Sequence, residues 1–89
     1  MMYPYIILAD ETEITHSHLI KNNGVDEVEV HFERPTLTGF DSARCLLPTY
    51  QWQVREGFTD GEITVFTQLL RSNAHLFYKY ANNGGLQIA

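Results

Sequence analysis

The chain has 89 residues, of which 44% are hydrophobic and 19% are charged, and its formal net charge is −5. This length fits one domain, and the composition is that of a folded globular protein rather than a disordered one. The negative charge disfavours partners that bind through phosphate groups, namely nucleic acids and anionic membrane surfaces.

A single cysteine, Cys45, excludes an internal disulfide and suits a reducing compartment. The N-terminal residues lack the positive segment of a signal peptide, and no apolar run is long enough to span a bilayer. We therefore expect a cytoplasmic protein with no membrane attachment.

The hydrophobic pattern predicts five strands. Val28, Val30 and Phe32 alternate with polar side chains, which is typical of a strand with one wet face. The turn signal at residues 21–24 (KNNG) separates this strand from the one before it. The predicted strands cover residues 3–8, 13–20, 27–33, 40–47 and 50–55.

One long helix is predicted to follow the strands, over residues 60–81. Thr59 and Glu62 match a capping box, and Phe58 and Ile63 occupy the positions of a hydrophobic staple. The sequence therefore predicts an α+β fold in a single domain, residues 1–89. An antiparallel sheet of four or five strands has the C-terminal helix packed on one face.

This helix carries more apolar surface than one sheet face needs, because Leu69, Leu76 and Tyr80 form a second flank beside its main stripe. The first strand is likewise apolar on both sides. Two interpretations stay open. Either a symmetric dimer or another protein covers this surplus, through the flank or the first strand, or loops and N-terminal aromatic residues close the core within one chain.

His16 and His18 are two residues apart on one predicted strand, as in some metal sites, and His31 lies on the neighbouring strand. The alternation argues against convergence, since His16 and His18 have core-facing parity and His31 has solvent-facing parity. Ordinary structural histidines are favoured, and we expect no metal and no other cofactor.

Other candidate chemistry is weaker. Cys45 could act as a nucleophile beside a histidine, but nothing in the sequence fixes one there, so a buried thiol is favoured. Asp10, Glu11 and Glu13 lack the ligand spacing of a calcium loop and predict a solvated turn. Since phosphate loops, nucleophile elbows and paired catalytic carboxylates are also missing, the sequence favours a non-enzymatic role.

Arg71, His75 and Lys79 recur every four residues and form a basic ridge along the predicted helix. The ridge could contact a phosphate backbone or an acidic face of a second subunit, or it could be a solvated helix side. Arg34 and Arg44 could flank a small anion pocket.

Three segments, residues 28–35 (VEVHFERP), 39–44 (GFDSAR) and 57–63 (GFTDGEI), resemble a family of short bacterial proteins, of gut type, that carry no assigned activity. The resemblance implies a bacterial stand-alone domain and transfers no functional residue. Our leading hypothesis is a small non-enzymatic protein–protein interaction or regulatory module that acts as a homodimer. The alternatives are a nucleic-acid-associated accessory protein that uses the basic ridge, and a small ligand-binding or metal-binding protein.

Overall fold

Six strands precede one helix along the chain in the computed structural model, which describes residues 2–85. The elements are β1 (Tyr3–Ile7), β2 (Glu13–His16), β3 (Ile20–Asn22), β4 (Val25–Pro35), β5 (Phe40–Leu47), β6 (Gln51–Glu56) and α1 (Asp60–Asn82). The strands form an antiparallel sheet in the order β1-β2-β4-β5-β6, with β3 paired to β4. The predicted α+β fold, with a long C-terminal helix on an antiparallel sheet, is confirmed.

The sheet has six strands rather than five because the second predicted strand is divided. His16 pairs with Val30 and Ile20 pairs with Glu27, so three residues on one side face two on the other. Ser17 fills the break, since its backbone N–H donates to the Glu29 carbonyl and its hydroxyl accepts from the Glu29 N–H at 2.9 Å. The extra residue is a bulge, which reverses the facing of the side chains beyond it.

The turn between β3 and β4 is shorter than predicted and lies at Asn23 and Gly24. Both residues have positive φ, 51° and 81°, as a two-residue type I′ hairpin requires. Because the turn is this tight, β4 begins at Val25, two residues before the predicted start.

The helix begins where the capping box predicts. Thr59 Oγ1 accepts from the Glu62 N–H at 3.1 Å, and the Glu62 carboxylate accepts from the Thr59 N–H at 2.9 Å. These two bonds satisfy donors that the first helical turn leaves free. The helix ends at Asn82, and the Gly85 N–H then donates to the Tyr80 carbonyl.

The core lies between the inner face of the sheet and α1. The alternating side chains of Val28, Val30 and Phe32 are completely buried there. Phe32 stacks on Phe66 of the helix with ring centroids 4.3 Å apart. The helix buries one side in this layer, through Ile63, Phe66, Leu70, Phe77 and Ala81. The other face of the sheet carries no helix within the described residues.

Candidate interaction surfaces

The predicted apolar flank of α1 is only half exposed. Leu69, Leu76 and Tyr80 are all partly buried, and Leu69 packs against the core. Tyr5 of β1 lies beside this flank, with its ring 4.3 Å from that of Phe77 and 6.2 Å from that of Tyr80. The N-terminal strand therefore covers part of the surplus apolar surface within the chain.

Tyr5 is also held by a polar contact. Its hydroxyl donates to Asn73 Oδ1 at 3.0 Å, and burial raises the pKa of Tyr5. Asn73 in turn donates its amide to the Leu69 carbonyl. Asn73, a polar residue in line with the apolar flank, thus fastens β1 to the helix. The helical pattern of the sequence alone did not indicate this contact.

A second group of apolar side chains remains open to solvent at the end of β1 and the start of α1. Ile6, Ile7 and Val65 are 49%, 67% and 59% exposed. Ile7 leads directly into Leu8, which lines an open cleft of about 530 Å³ between the residues after β1 and the first turns of α1. We call Ile6, Ile7, Leu8 and Val65 the β1–α1 patch.

The walls of the cleft are mostly apolar, with two carboxylates at the rim. Its apolar walls include Leu8, Ala9, Val65 and Phe66, and the carboxylates are Asp10 and Glu62. Sequence reasoning found the first strand as a possible contact but missed Val65. The signal that could have found Val65 was its position on α1, since it is an apolar residue that lies outside the core-facing stripe of the helix.

Arg34 joins the carboxylates of the rim to the sheet. Its guanidinium donates to Asp41 at 2.8 and 3.0 Å, to Asp10 at 3.3 Å and to Glu62. It also lies 4.6 Å from the centre of the Phe58 ring. The hydrogen bond from Arg34 is the largest cause that lowers the pKa of Glu62.

The predicted anion pocket between Arg34 and Arg44 is wrong, because three carboxylates already occupy the Arg34 guanidinium. Arg44 pairs with Glu29 at 3.2 Å. Both lie on the outer face of the sheet, because the residues on either side of each in β4 and β5 face the core. The two arginines therefore serve separate carboxylates.

The three candidate histidines do not converge. His16 is fully buried on the inner face, His18 is exposed after the bulge, and His31 lies on the outer face in contact with Glu29. The shared core-facing parity predicted for His16 and His18 is wrong, because the bulge at Ser17 turns His18 outward. No group of three or more potential metal ligands occurs within residues 2–85.

Cys45 lies in the core, whereas Asp10, Glu11 and Glu13 are all exposed. Cys45 is buried in β5, and burial raises the pKa of its thiol to about 11. Asp10 accepts from the Thr12 N–H at 3.0 Å, which closes the turn after β1. Glu13 belongs to β2 and is exposed. These positions place the thiol away from the surface where a substrate would meet it.

The predicted basic ridge lies on the solvent side of α1, where Arg71, His75 and Lys79 are all exposed. The Arg71 guanidinium stacks over the Tyr50 ring at 4.4 Å. Within residues 2–85, neither Arg71 nor Lys79 forms an ion pair with a carboxylate. The ridge is accessible but offers only two permanent charges.

No helix in the described part of the chain combines the length and the apolar composition that crossing a membrane requires. Comparison of the chain with protein-family models, with curated proteins and with solved structures finds no match.

Proposed function

We propose that this protein is a small non-enzymatic interaction module that acts as a homodimer, with the β1–α1 patch as the contact between the two copies. The observation that carries this proposal is the open apolar cleft lined by Leu8 and the exposed Val65, next to the exposed Ile6 and Ile7 of the strand that leads into it. Grouped apolar side chains of this kind mark association surfaces, whereas singly scattered ones are ordinary.

The remaining exposed apolar side chains are scattered. Val25 begins β4, Phe40 begins β5, and Leu37 lies in the loop between β4 and β5. Each stands at a turn, and none of the three lines either of the cavities found among the described residues. They give a set of controls for the patch.

A second copy suits the patch because a two-fold interface brings the same surface of both chains together, and an apolar surface is its own complement. The contact is expected to form through side chains rather than by strand addition. β1 has an open edge, but Pro4 lacks an N–H and the pairing is irregular between Pro4 and Ile6. Prolines and bulges of this kind protect edge strands from pairing with another chain.

The patch is small beside the roughly 800 Å² that each partner contributes to an interface of standard size. We therefore expect a weak, reversible dimer, which suits a regulatory role. Three features support a role without catalysis. The Cys45 thiol and His16 are buried, and His31 is engaged by Glu29. A reduced, buried cysteine also supports our placing the protein in the cytoplasm.

The first test measures mass by light scattering or sedimentation, at protein concentrations from about 10 µM to about 1 mM. The wild-type mass should rise from 10.3 kDa towards twice that value as the concentration increases. Val65→Glu should shift this rise to higher concentration by tenfold or more, since a charge would be buried unpaired in the contact. Ile7→Lys should act in the same direction although its charge is opposite.

Val25→Glu is the matched control, because Val25 is similarly exposed but lies at the β3–β4 turn. Its mass profile should follow that of the wild type. A wild-type chain that stays at 10.3 kDa up to about 1 mM, or a Val25→Glu variant that dissociates as readily as Val65→Glu, would overturn the proposed contact.

A further inference from the structure

His16 lies in an apolar enclosure beneath the N-terminal strand. Its side chain is fully buried, and its ring centroid is 5.7 Å from that of Tyr3, 6.5 Å from that of Tyr5 and 6.0 Å from that of Phe77. Nδ1 lies 2.8 Å from the Ser17 carbonyl oxygen, so it carries the proton and donates. Nε2 has no hydrogen-bond partner among the described residues.

Protonation of Nε2 would place a charge where the surroundings offer little compensation. The titratable groups that face the ring are Tyr3 and Tyr5 from β1, with Tyr80 of α1 behind Tyr5, and the pairing partner in β4 is Val30. None of these groups is a carboxylate that could pair with the charge. The aromatic faces can stabilise a cation in part, but a buried N–H without an acceptor remains costly.

β1 is the edge element of the enclosure, held by its pairing with β2 and by the contacts of Tyr5 with Asn73 and Phe77. It is five residues long, pairs with β2 alone and has an irregular register beside Pro4. By contrast, β2 lies between two strands, and α1 is held by the central core. Opening β1 would remove both tyrosine rings from above His16 and let water reach Nε2.

We infer that protonation of His16 releases the N-terminal strand β1 from the sheet and so dismantles the β1–α1 patch in mildly acidic solution. Ile6 and Ile7 belong to β1, so its release displaces two of the four residues of the patch. The opening of β1 depends only on the surroundings of His16, whereas its effect on association also rests on the proposed function. In the enclosure, burial lowers the pKa of His16.

The test is hydrogen–deuterium exchange of the full chain at pH 7.5 and pH 5.5, corrected for the intrinsic pH dependence of amide exchange. When β1 is open, the exposed side chain of His16 should have the ordinary histidine pKa near 6.5. The equilibrium constant for opening should therefore increase about tenfold from pH 7.5 to pH 5.5. The amides of residues 3–7 and of their partners in β2 should show that increase. The amides of β4 and β5 should stay protected, and the fluorescence of Trp52 should remain that of the folded protein.

His16→Phe fills the enclosure with a ring that cannot be protonated, and it should abolish the increase. His31→Gln is the control, because it removes an imidazole that lies on the outer face in contact with Glu29, and it should leave the increase unchanged. If His16→Phe does not fold, an NMR titration of the wild-type ring provides the second measurement. It should show His16 gaining its proton in step with exchange in β1.

Three outcomes overturn the inference: exchange in β1 that is equal at both pH values, an increase that persists in His16→Phe, or loss of protection across β4 and β5 together with β1. Because exchange is read from each segment, the test does not depend on the oligomeric state. A chain that proves monomeric while β1 opens as described would contradict the proposed dimer and leave the inference about His16 intact.

Discussion

Arg34 is the residue that ties the start of α1 to the sheet. It is the shared cation of Asp41 in β5, Asp10 after β1 and Glu62 in the first turn of the helix. Its side chain is 22% exposed, so these contacts are less screened by solvent than those of a fully exposed pair. Arg55 makes the opposite kind of contact, with Asp60, whose side chain is 97% exposed.

Arg34→Gln should lower the free energy of unfolding by about 1–3 kcal/mol, because it leaves three carboxylates without their cation. Arg55→Gln should cost no more than about 1 kcal/mol, as expected for a surface ion pair. Urea unfolding followed by Trp52 fluorescence measures both. Equal losses in the two variants would contradict the distinct role of Arg34.

The same contacts give a pH dependence on the acid side. The pKa of Glu62 is lowered mainly by Arg34, and that of Asp10 is lowered mainly by Thr12 and further by Arg34. A carboxyl group whose pKa is lower in the folded state stabilises the protein above its unfolded pKa, near 4, and this contribution is lost as the pH falls through the folded pKa. Arg34→Gln should therefore reduce the fall in stability below about pH 4.

Among the elements, the junction between β6 and α1 depends on a glycine. Gly57 has a φ of 90°, and a Cβ at this position would lie 2.0 Å from Asp41 Oδ1. The backbone there approaches the carboxylate that holds Arg34. Gly24 has a similar φ of 81°, but a Cβ would meet nothing within 4 Å.

Gly57→Ala should therefore destabilise the protein more than Gly24→Ala does. Both substitutions place alanine in the left-handed region, which costs roughly 1–2 kcal/mol. Only Gly57→Ala must also displace Asp41, which adds about 1–3 kcal/mol, as overpacking commonly does. Thermal unfolding of the two variants compares them. A Gly24→Ala variant that is as unstable as Gly57→Ala would show that backbone strain, rather than crowding, dominates.

At the element scale, local sequence patterns predicted the features that depend on residues close together along the chain. The capping box at Thr59 and Glu62 located the helix start, and the alternation of Val28, Val30 and Phe32 located the buried face of β4. The break between β2 and β3 was missed because it arises from the pairing of Ser17 with Glu29, twelve residues away. That long-range hydrogen bond also decides that His18 faces solvent.

At the scale of the whole molecule, the net charge of −5 opposes association of two copies. Raising the ionic strength from about 0.01 M to about 0.1 M shortens the screening length from about 30 Å to about 10 Å. The dimer should therefore tighten as salt increases, and sedimentation at a fixed protein concentration measures this. Binding of RNA or DNA through Arg71 and Lys79 would weaken with salt, with an affinity that falls roughly as the square of its concentration. Salt-weakened self-association would contradict an apolar contact.

The sequence by itself determined the order and type of most elements, the capped helix start and the exclusion of an internal disulfide, because these follow from periodicity, side-chain chemistry and composition over short stretches of chain. Tertiary structure alone decided which apolar side chains stay exposed. Tyr5 packs beside Tyr80 of the flank, while Ile7 and Val65 remain open. Burial depends on which distant segments meet, and a helical or alternating pattern specifies the apolar face without specifying what covers it.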